Sequence, residues 1–433
     1  MEQTGASPSD RPQRHDSVPD ANGRFLFKLF RRYYRSADIP MPDRFTRREF
    51  GFIPFGGTMQ RHMAFPTQDG LQHFLAAKVP QHSYYSTAYY RRPSEQVMDD
   101  KEWMGAELIF DLDADHLAGS EGMTYSEMMV QIRKEMVALV DDYLYGDLGF
   151  SEDQVHICFS GGRGYHAHVR SDDILTLGTH ERREIVDYIS CAGLDLDWVF
   201  PVRRNALGTK TLPGGAVRAS VHEYRLIPSG EEGGWKRKMR NALFTAVRDL
   251  ETDPKGFMRK YPGVKSTKPT LENLARKLDA VEEGMFARNT MADLKKNEQD
   301  ILIAAVGDIA PTLSSEIDKP VTPDIKRLIR LPGSLHGKTG LRVSPLTRDQ
   351  LTDYDPLQSA VPEVYTDDSV RVTVRKPMSL RMLGEDMTLE GETEVPEYAA
   401  AFLVGRKYAD VGWAGDREGR LFRGPPAELG TFI

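Results

Sequence analysis

The apolar and polar pattern divides the chain into segments of different character. Residues 24–36 read as a helix that stops before Pro40 and Pro42, because proline cannot donate to a helical ladder. Residues 48–66 and 82–92 carry short aromatic and β-branched stretches, broken at Gly56 and Gly57, that predict strands and turns. Residues 105–113 predict a strand buried over its first half. Thr124 and Glu127 then form a capping-box pair, and Met128, Met129, Ile132, Met136, Leu139 and Val140 recur at helical spacing. That methionine stripe reads as core. Val155–Phe159 and Tyr165–Arg170 predict strands and Thr179–Ser190 a helix. Residues 195–300 turn mostly polar and helical, with Leu271–Met285 as one helix, and read as a helical insertion in an α/β core. A glycine-bearing apolar pattern returns from Asp318 to Val343, residues 356–395 look β-rich or irregular, and Pro396–Gly405 closes the compact part. Residues 1–22, polar and without periodicity, predict a disordered tail, and 406–433 a C-terminal one.

With 433 residues the chain is long enough for two to three structural units. No apolar run approaches the ~20 residues that span a bilayer, and the polar N-terminus lacks a signal core, so an intracellular, cytoplasmic protein is expected. Two cysteines, Cys158 and Cys191, leave no room for a disulfide framework or a four-cysteine zinc site. A net charge of −7 argues against a uniform nucleic-acid-binding coat. Residues 24–50 nevertheless hold eight cations against three anions, interleaved with Phe25, Phe27, Phe30, Tyr33 and Tyr34. Such a segment is either an amphipathic helix with a solvated basic face or a nucleic-acid patch.

Three segments carry chemistry. Asp111 and Asp113 stand two apart at the end of a predicted strand, so both carboxylates share one face. Paired carboxylates suit hard divalent ions such as Mg²⁺ or Mn²⁺; an exposed acidic turn is the alternative. Asp115 would continue that face. A calcium loop fits poorly, since His116 and Gly122 occupy positions that need Gly and Glu. In Ser160–His166, glycines at 161, 162 and 164 let backbone N–H groups turn toward a phosphate, Ser160 adds a hydroxyl and Arg163 a planar fork. His166, His168 and Arg170 share a strand face on which His166 would meet the phosphates. A glycine hairpin with structural histidines, or a His-x-His zinc pair, would use the same residues. In Leu328–Gly340, Gly333 and Gly337 are separated by three residues rather than four and a strand follows, so this is not a Walker A loop. Arg330, His336 and Lys338 remain candidates for triphosphate contacts, with Asp318 and Asp324 the nearby carboxylates.

In this order the segments resemble the catalytic small subunit of archaeal and eukaryotic DNA primases. The likeness includes Arg48–Phe52, Tyr84–Tyr90, the Asp111/Asp113 strand, Ser160–His166 and Asp318–Gly340, and runs from about residue 25 to 405 with 195–300 weakly matched. It implies an α/β (α+β) primase-type catalytic core, in residues 24–194 and 301–405, with the 195–300 helical subdomain inserted. It implies that Asp111, Asp113 and Asp318 form a metal-binding catalytic triad for Mg²⁺ or Mn²⁺. It assigns Ser160, Arg163 and His166 to the nucleotide, together with Arg330, His336, Arg61, Lys338 and His82. The implied reaction is template-directed synthesis of short RNA primers from ribonucleoside triphosphates on single-stranded DNA, beside a large primase subunit that carries an iron–sulfur cluster. The implied setting is the nucleoid. One departure stands out: many relatives place a Cys/His zinc knuckle after the aspartate pair, whereas residues 114–154 contain no cysteine and only His116. No structural zinc is therefore expected, with the short acidic loop 116–123 in its place. The template strand is expected on a basic surface using Arg47 and Arg48. The competing readings are a related repair primase-polymerase and a non-catalytic nucleic-acid adaptor. The first often sits beside ligase or helicase domains that this chain lacks, and the second would not need all three carboxylates.

Overall fold

A computed structural model describes residues 20–114, 119, 122–211 and 217–413. Within these, residues up to 137, 152–179 and from 320 onward form a first unit, and 138–151 with 180–319 a second.

The first unit opens with helix Ala21–Ser36, whose N-terminus is capped by the Asp20 carboxylate accepting from Gly23 N at 2.7 Å. Leu26, Leu29, Phe30, Tyr33 and Tyr34 form its buried stripe. Asn22 is not part of a tail: its side chain bonds Asp410 at 2.7 Å and accepts from Val411 N at 2.9 Å.

The strands β1 (Phe50–Ile53), β2 (Gln60–Met63), β3 (His82–Ser86), β4 (Ala88–Tyr90), β5 (Trp103–Ala106), β6 (Leu108–Asp113), β7 (Val155–Phe159) and β8 (Gly164–Val169) follow in this unit. The second unit contributes β9 (Val202–Thr211) and β10 (Val217–Arg225). The first unit resumes with β11 (Leu328–Arg330), β12 (Ser344–Leu346), β13 (Ser369–Val374), β14 (Met378–Met382), β15 (Glu385–Leu389), β16 (Glu392–Pro396) and β17 (Ala409–Val411). Two four-stranded antiparallel sheets matter for function, ordered β11-β3-β1-β2 and β12-β7-β8-β6. Because β11 and β12 are consecutive in the chain but lie in different sheets, residues 331–343 join one sheet to the other. A third sheet, β16-β13-β17, carries the structured chain past residue 405, so the expected tail from 406 begins too early.

The predicted strand 105–113 is two strands in two sheets, since β5 pairs with β4 and β6 with β8. The break falls at Glu107, a fully buried carboxylate. Arg48 pairs with it, Arg170 Nε donates at 2.8 Å, His168 Nδ1 lies at 3.0 Å and Tyr89 Oη donates at 3.2 Å. Burial alone would raise the Glu107 pKa; Arg48, His168 and Arg170 reverse that and hold it well below the usual carboxylate range. Arg48 is likewise fully buried, with Tyr89 and Tyr85 rings 4.2 and 5.1 Å from its guanidinium carbon. The expectation that Arg48 meets a template strand is therefore wrong. Its charge is consumed inside the fold, while Arg47 stays exposed.

The second unit is built on helices Gly234–Thr252, Lys268–Ala287 and Lys296–Ile309, whose buried faces include Leu243, Val247, Leu271, Leu278 and Leu302. It is wider than the expected 195–300 insertion, and not all helix. β9 and β10 pair in antiparallel register from Val202↔Arg225 to Thr211↔Val217. At the hairpin base, Met291 N donates to Arg225 O at 2.9 Å and Arg225 N to the Gln299 side chain at 2.8 Å, so the ribbon is fastened to the helices. Among the described residues no helix is long and apolar enough to cross a membrane.

Leaving a buried charge without its partner costs about 3–5 kcal/mol. Arg48→Ala should lower stability by about that amount, read as a reduced urea midpoint at unchanged slope. Arg371→Ala, which removes an exposed pair with Glu394, should leave the midpoint in place.

Candidate active site

A cleft of about 280 Å³ in the first unit gathers most of the sequence-predicted residues. Asp111, Asp113, Ser160, Arg163, His166, Arg330, His336 and Lys338 all line it. The sheets explain this convergence. Antiparallel register places Asp111 opposite His166 and Asp113 opposite Gly164, so period two aims Asp111, Asp113 and His166 from the same face. The β7–β8 turn presents Ser160, Gly162 and Arg163 beside them. From the other sheet β11 brings Arg330, and the connection to β12 brings His336 and Lys338.

Gly161 has φ +76°, and a Cβ there would stand 2.8 Å from His336 Cβ. Only glycine lets the turn press so closely against the β11–β12 connection. Ser160 Oγ accepts from Gly162 N at 3.2 Å, and Tyr125 Oη donates to Gly162 O at 2.8 Å, which fixes the turn from both sides.

The electrostatics are those of an anion site beside two carboxylates. His166 Nε2 is 3.4 Å from Asp111 Oδ1, and Arg163 Nε is 4.0 Å from Asp113 Oδ1. Asp111 and Asp113 keep 20% and 41% of their side chains exposed, so both reach the cleft. Arg330 donates to His82 Nδ1 at 2.6 Å and His336 Nε2 at 3.0 Å, with its guanidinium carbon 4.5 Å from the Tyr84 ring. The Gly337 N–H also points at His82 Nδ1, at 3.3 Å, so that nitrogen is an acceptor and the proton sits on Nε2. Burial, then Arg330 and Lys338, depress His82 to about 3. Burial also takes His166 and His336 well below the ordinary imidazole range, aided by His168 and Arg330 for the first and by Arg330 and His82 for the second. All three rings are therefore neutral near pH 7, and His166 Nδ1 is buried with no hydrogen-bond partner among the described residues.

His82 supports the cleft through Arg330 and does not line it. Arg61 is not among the lining residues either; it pairs with the buried Glu49 at 2.8 Å. Asp318 belongs to the second unit, one residue before that unit ends at Lys319. Asp115 and most of the 116–123 loop lie outside the described residues. Among the described residues no three His, Cys, Asp or Glu side chains group closely enough to hold a metal ion, so Asp111 and Asp113 stand as a pair. Sequence reading missed Tyr84, Arg327 and Arg406 in the cleft wall. Tyr84 was visible as Arg330's partner only once β3 and β11 were known to pair.

A depressed imidazole binds its proton less readily when folded than when unfolded. Stability therefore falls as pH drops below the unfolded value of about 6.5. His82 alone contributes a loss of about 1.4 kcal/mol between pH 7.5 and 5.5. The urea midpoint should fall over that interval, and His82→Gln should fall by visibly less.

The sequence comparisons agree with this geometry. The family model described as DNA primase small subunit matches residues 110–348. A relative named DNA primase small subunit PriS from Methanocella arvoryzae is 38% identical over 404 residues, covering 90% of this chain and 99% of its own. PriS of Methanococcoides burtonii is 38% identical over 397 residues, covering 90% and 98% respectively. PriS of Picrophilus torridus is also 38% identical, over 379 residues, covering 87% and 95%. With likeness of that depth over nine tenths of its length, the chain belongs to the DNA primase small subunit family.

Proposed function

We infer that the cleft of the first unit is where nucleotidyl transfer takes place. As a primase small subunit, the chain is a nucleotidyltransferase that synthesises RNA primers for DNA replication. It works with a large partner subunit on DNA and nucleoside triphosphates. We further propose that the large subunit carries an iron–sulfur cluster, that the template is single-stranded, and that the protein acts in the cytoplasm at the nucleoid.

The observation that carries the site assignment is the meeting of two carboxylates with Arg163, Arg330 and Lys338 in one cleft. The donor set fits a divalent cation: Asp111 and Asp113 are hard oxygen ligands on one strand face, both open to the cleft. Resemblance adds Asp318 as the third carboxylate. Mg²⁺ or Mn²⁺ held there would neutralise phosphate charge and lower the pKa of the attacking hydroxyl. We take the chain to lack a zinc knuckle, since residues 114–154 contain no cysteine and one histidine.

The chain's own residues do the positioning. Arg163 and Arg330 offer planar forks to phosphate oxygens, and Lys338 a point charge. His166 and His336, neutral by burial, add hydrogen bonding without adding charge. The Ser160–Gly162 turn is braced by Tyr125, so its geometry is set by the chain's own hydrogen bonds.

Asp111→Ala combined with Asp113→Ala should lower primer synthesis on a single-stranded template about a thousandfold or more. Near-normal synthesis would sink the site assignment. Asp318→Ala should produce a comparable loss; retention of activity in that variant alone would remove Asp318 from the set.

A further inference from the structure

Arg406 lies at the end of helix Glu397–Gly405 and shares the cleft wall with Ser160, Gly162, His336 and Lys338. Its position is built. A Cβ on Gly405 would stand 3.0 Å from the Lys338 carbonyl carbon and the Thr339 nitrogen, so glycine lets the helix end press onto the segment that carries Lys338. The rings of Tyr125 and Tyr408 hold the guanidinium, at 5.8 and 5.4 Å from its carbon. One Arg406 N–H donates to Tyr408 Oη at 3.2 Å. Nε is buried without a hydrogen-bond partner among the described residues.

Topology says which end of a nucleotide this residue would meet. In the sheet ordered β12-β7-β8-β6, the Asp111/Asp113 strand is one edge. The segment carrying His336 and Lys338 runs into β12, the other edge. The β7–β8 turn with Ser160 and Arg163 lies between them. The 336–339 segment packs directly on that turn, with Thr339 and His336 against Gly161. A triphosphate with its α-phosphate at the carboxylates and its chain laid onto the turn therefore points its terminal phosphate away from the β6 edge, toward the wall that Lys338 and Arg406 share. We propose that Arg406 binds the terminal phosphate of the nucleotide and makes the cleft select triphosphates over diphosphates. This rests on reading the cleft as the triphosphate site.

The test is calorimetric titration of the full chain with ATP and with ADP, each with Mg²⁺. A hydrogen bond to a charged group corresponds to about tenfold or more in affinity. Arg406→Ala should weaken ATP by that factor and leave ADP within about twofold, with Arg406→Lys in between. The ATP-to-ADP ratio is taken within one preparation, so a partly folded variant lowers the binding stoichiometry for both nucleotides alike and leaves the ratio intact. An unchanged ratio in Arg406→Ala overturns the assignment. Arg163→Ala separates the two levels. If it weakens both nucleotides while the Arg406→Ala ratio stays at the wild-type value, the Arg406 role alone is wrong. If it weakens neither, the cleft is not the triphosphate site and the inference falls with it.

Discussion

The buried Glu107 carboxylate is the constraint around which the first unit is arranged. It sits where the chain leaves the β4–β5 pair for the sheet bearing the aspartates. A charge in that position must be matched, and its partners come from three places: Arg48 before β1, and His168 and Arg170 from β8 and just beyond it. Satisfying Glu107 therefore fixes β6 against β8 and both against the segment leading into β1. The polar face of the sheet is ordered from the inside, by a fully buried Glu107–Arg48 pair, a buried His168 and the half-buried Arg170. Asp111 and His166 extend the same ladder outward, in the register those inner contacts impose.

A second regularity is how charge is distributed across the cleft. Its histidines are kept neutral by burial beside cations, whereas a guanidinium stays charged in any protein setting. Positive potential is thus concentrated on side chains with fixed or point-like donors. The imidazoles act as shaped spacers, and Arg330 fixes two of them by donating to both. The carboxylate pair lines the same cleft, so two opposite demands are met a few ångströms apart.

Much of the site was legible because it depends on local periodicity. Two residues on a strand share a face whatever the fold, which places Asp111 with Asp113 and His166 with His168. A glycine-rich turn between two strands is also a local statement. What escaped depends on pairings distant in sequence. Arg48 looks like any exposed arginine until Glu107, fifty-nine residues away, is seen to need it. Arg406 follows a helix end that reads as the last compact residue, and nothing in its neighbours announces β17 or the cleft. The β9–β10 ribbon escaped because its composition is polar and its pairing, not its periodicity, makes it a strand. Glu107 itself was read as one more position in a strand, since a buried carboxylate and an apolar residue occupy the same place in the pattern.

The link between the two sheets has a consequence for the order in which the molecule can be made. Arg330 reaches His82 across 248 residues of chain, and the whole second unit is encoded between them. During synthesis the aspartate strand and the glycine turn emerge early and can pair at once. The segment that supplies Arg330, His336 and Lys338 follows only after the second unit has left the ribosome. Until then β3 and β7 each lack the neighbour that β11 or β12 will provide, and both are open to pairing with another chain. The nascent protein thus passes through a stage with two unfilled sheet edges and no phosphate-binding wall, and its vulnerability to aggregation is concentrated there.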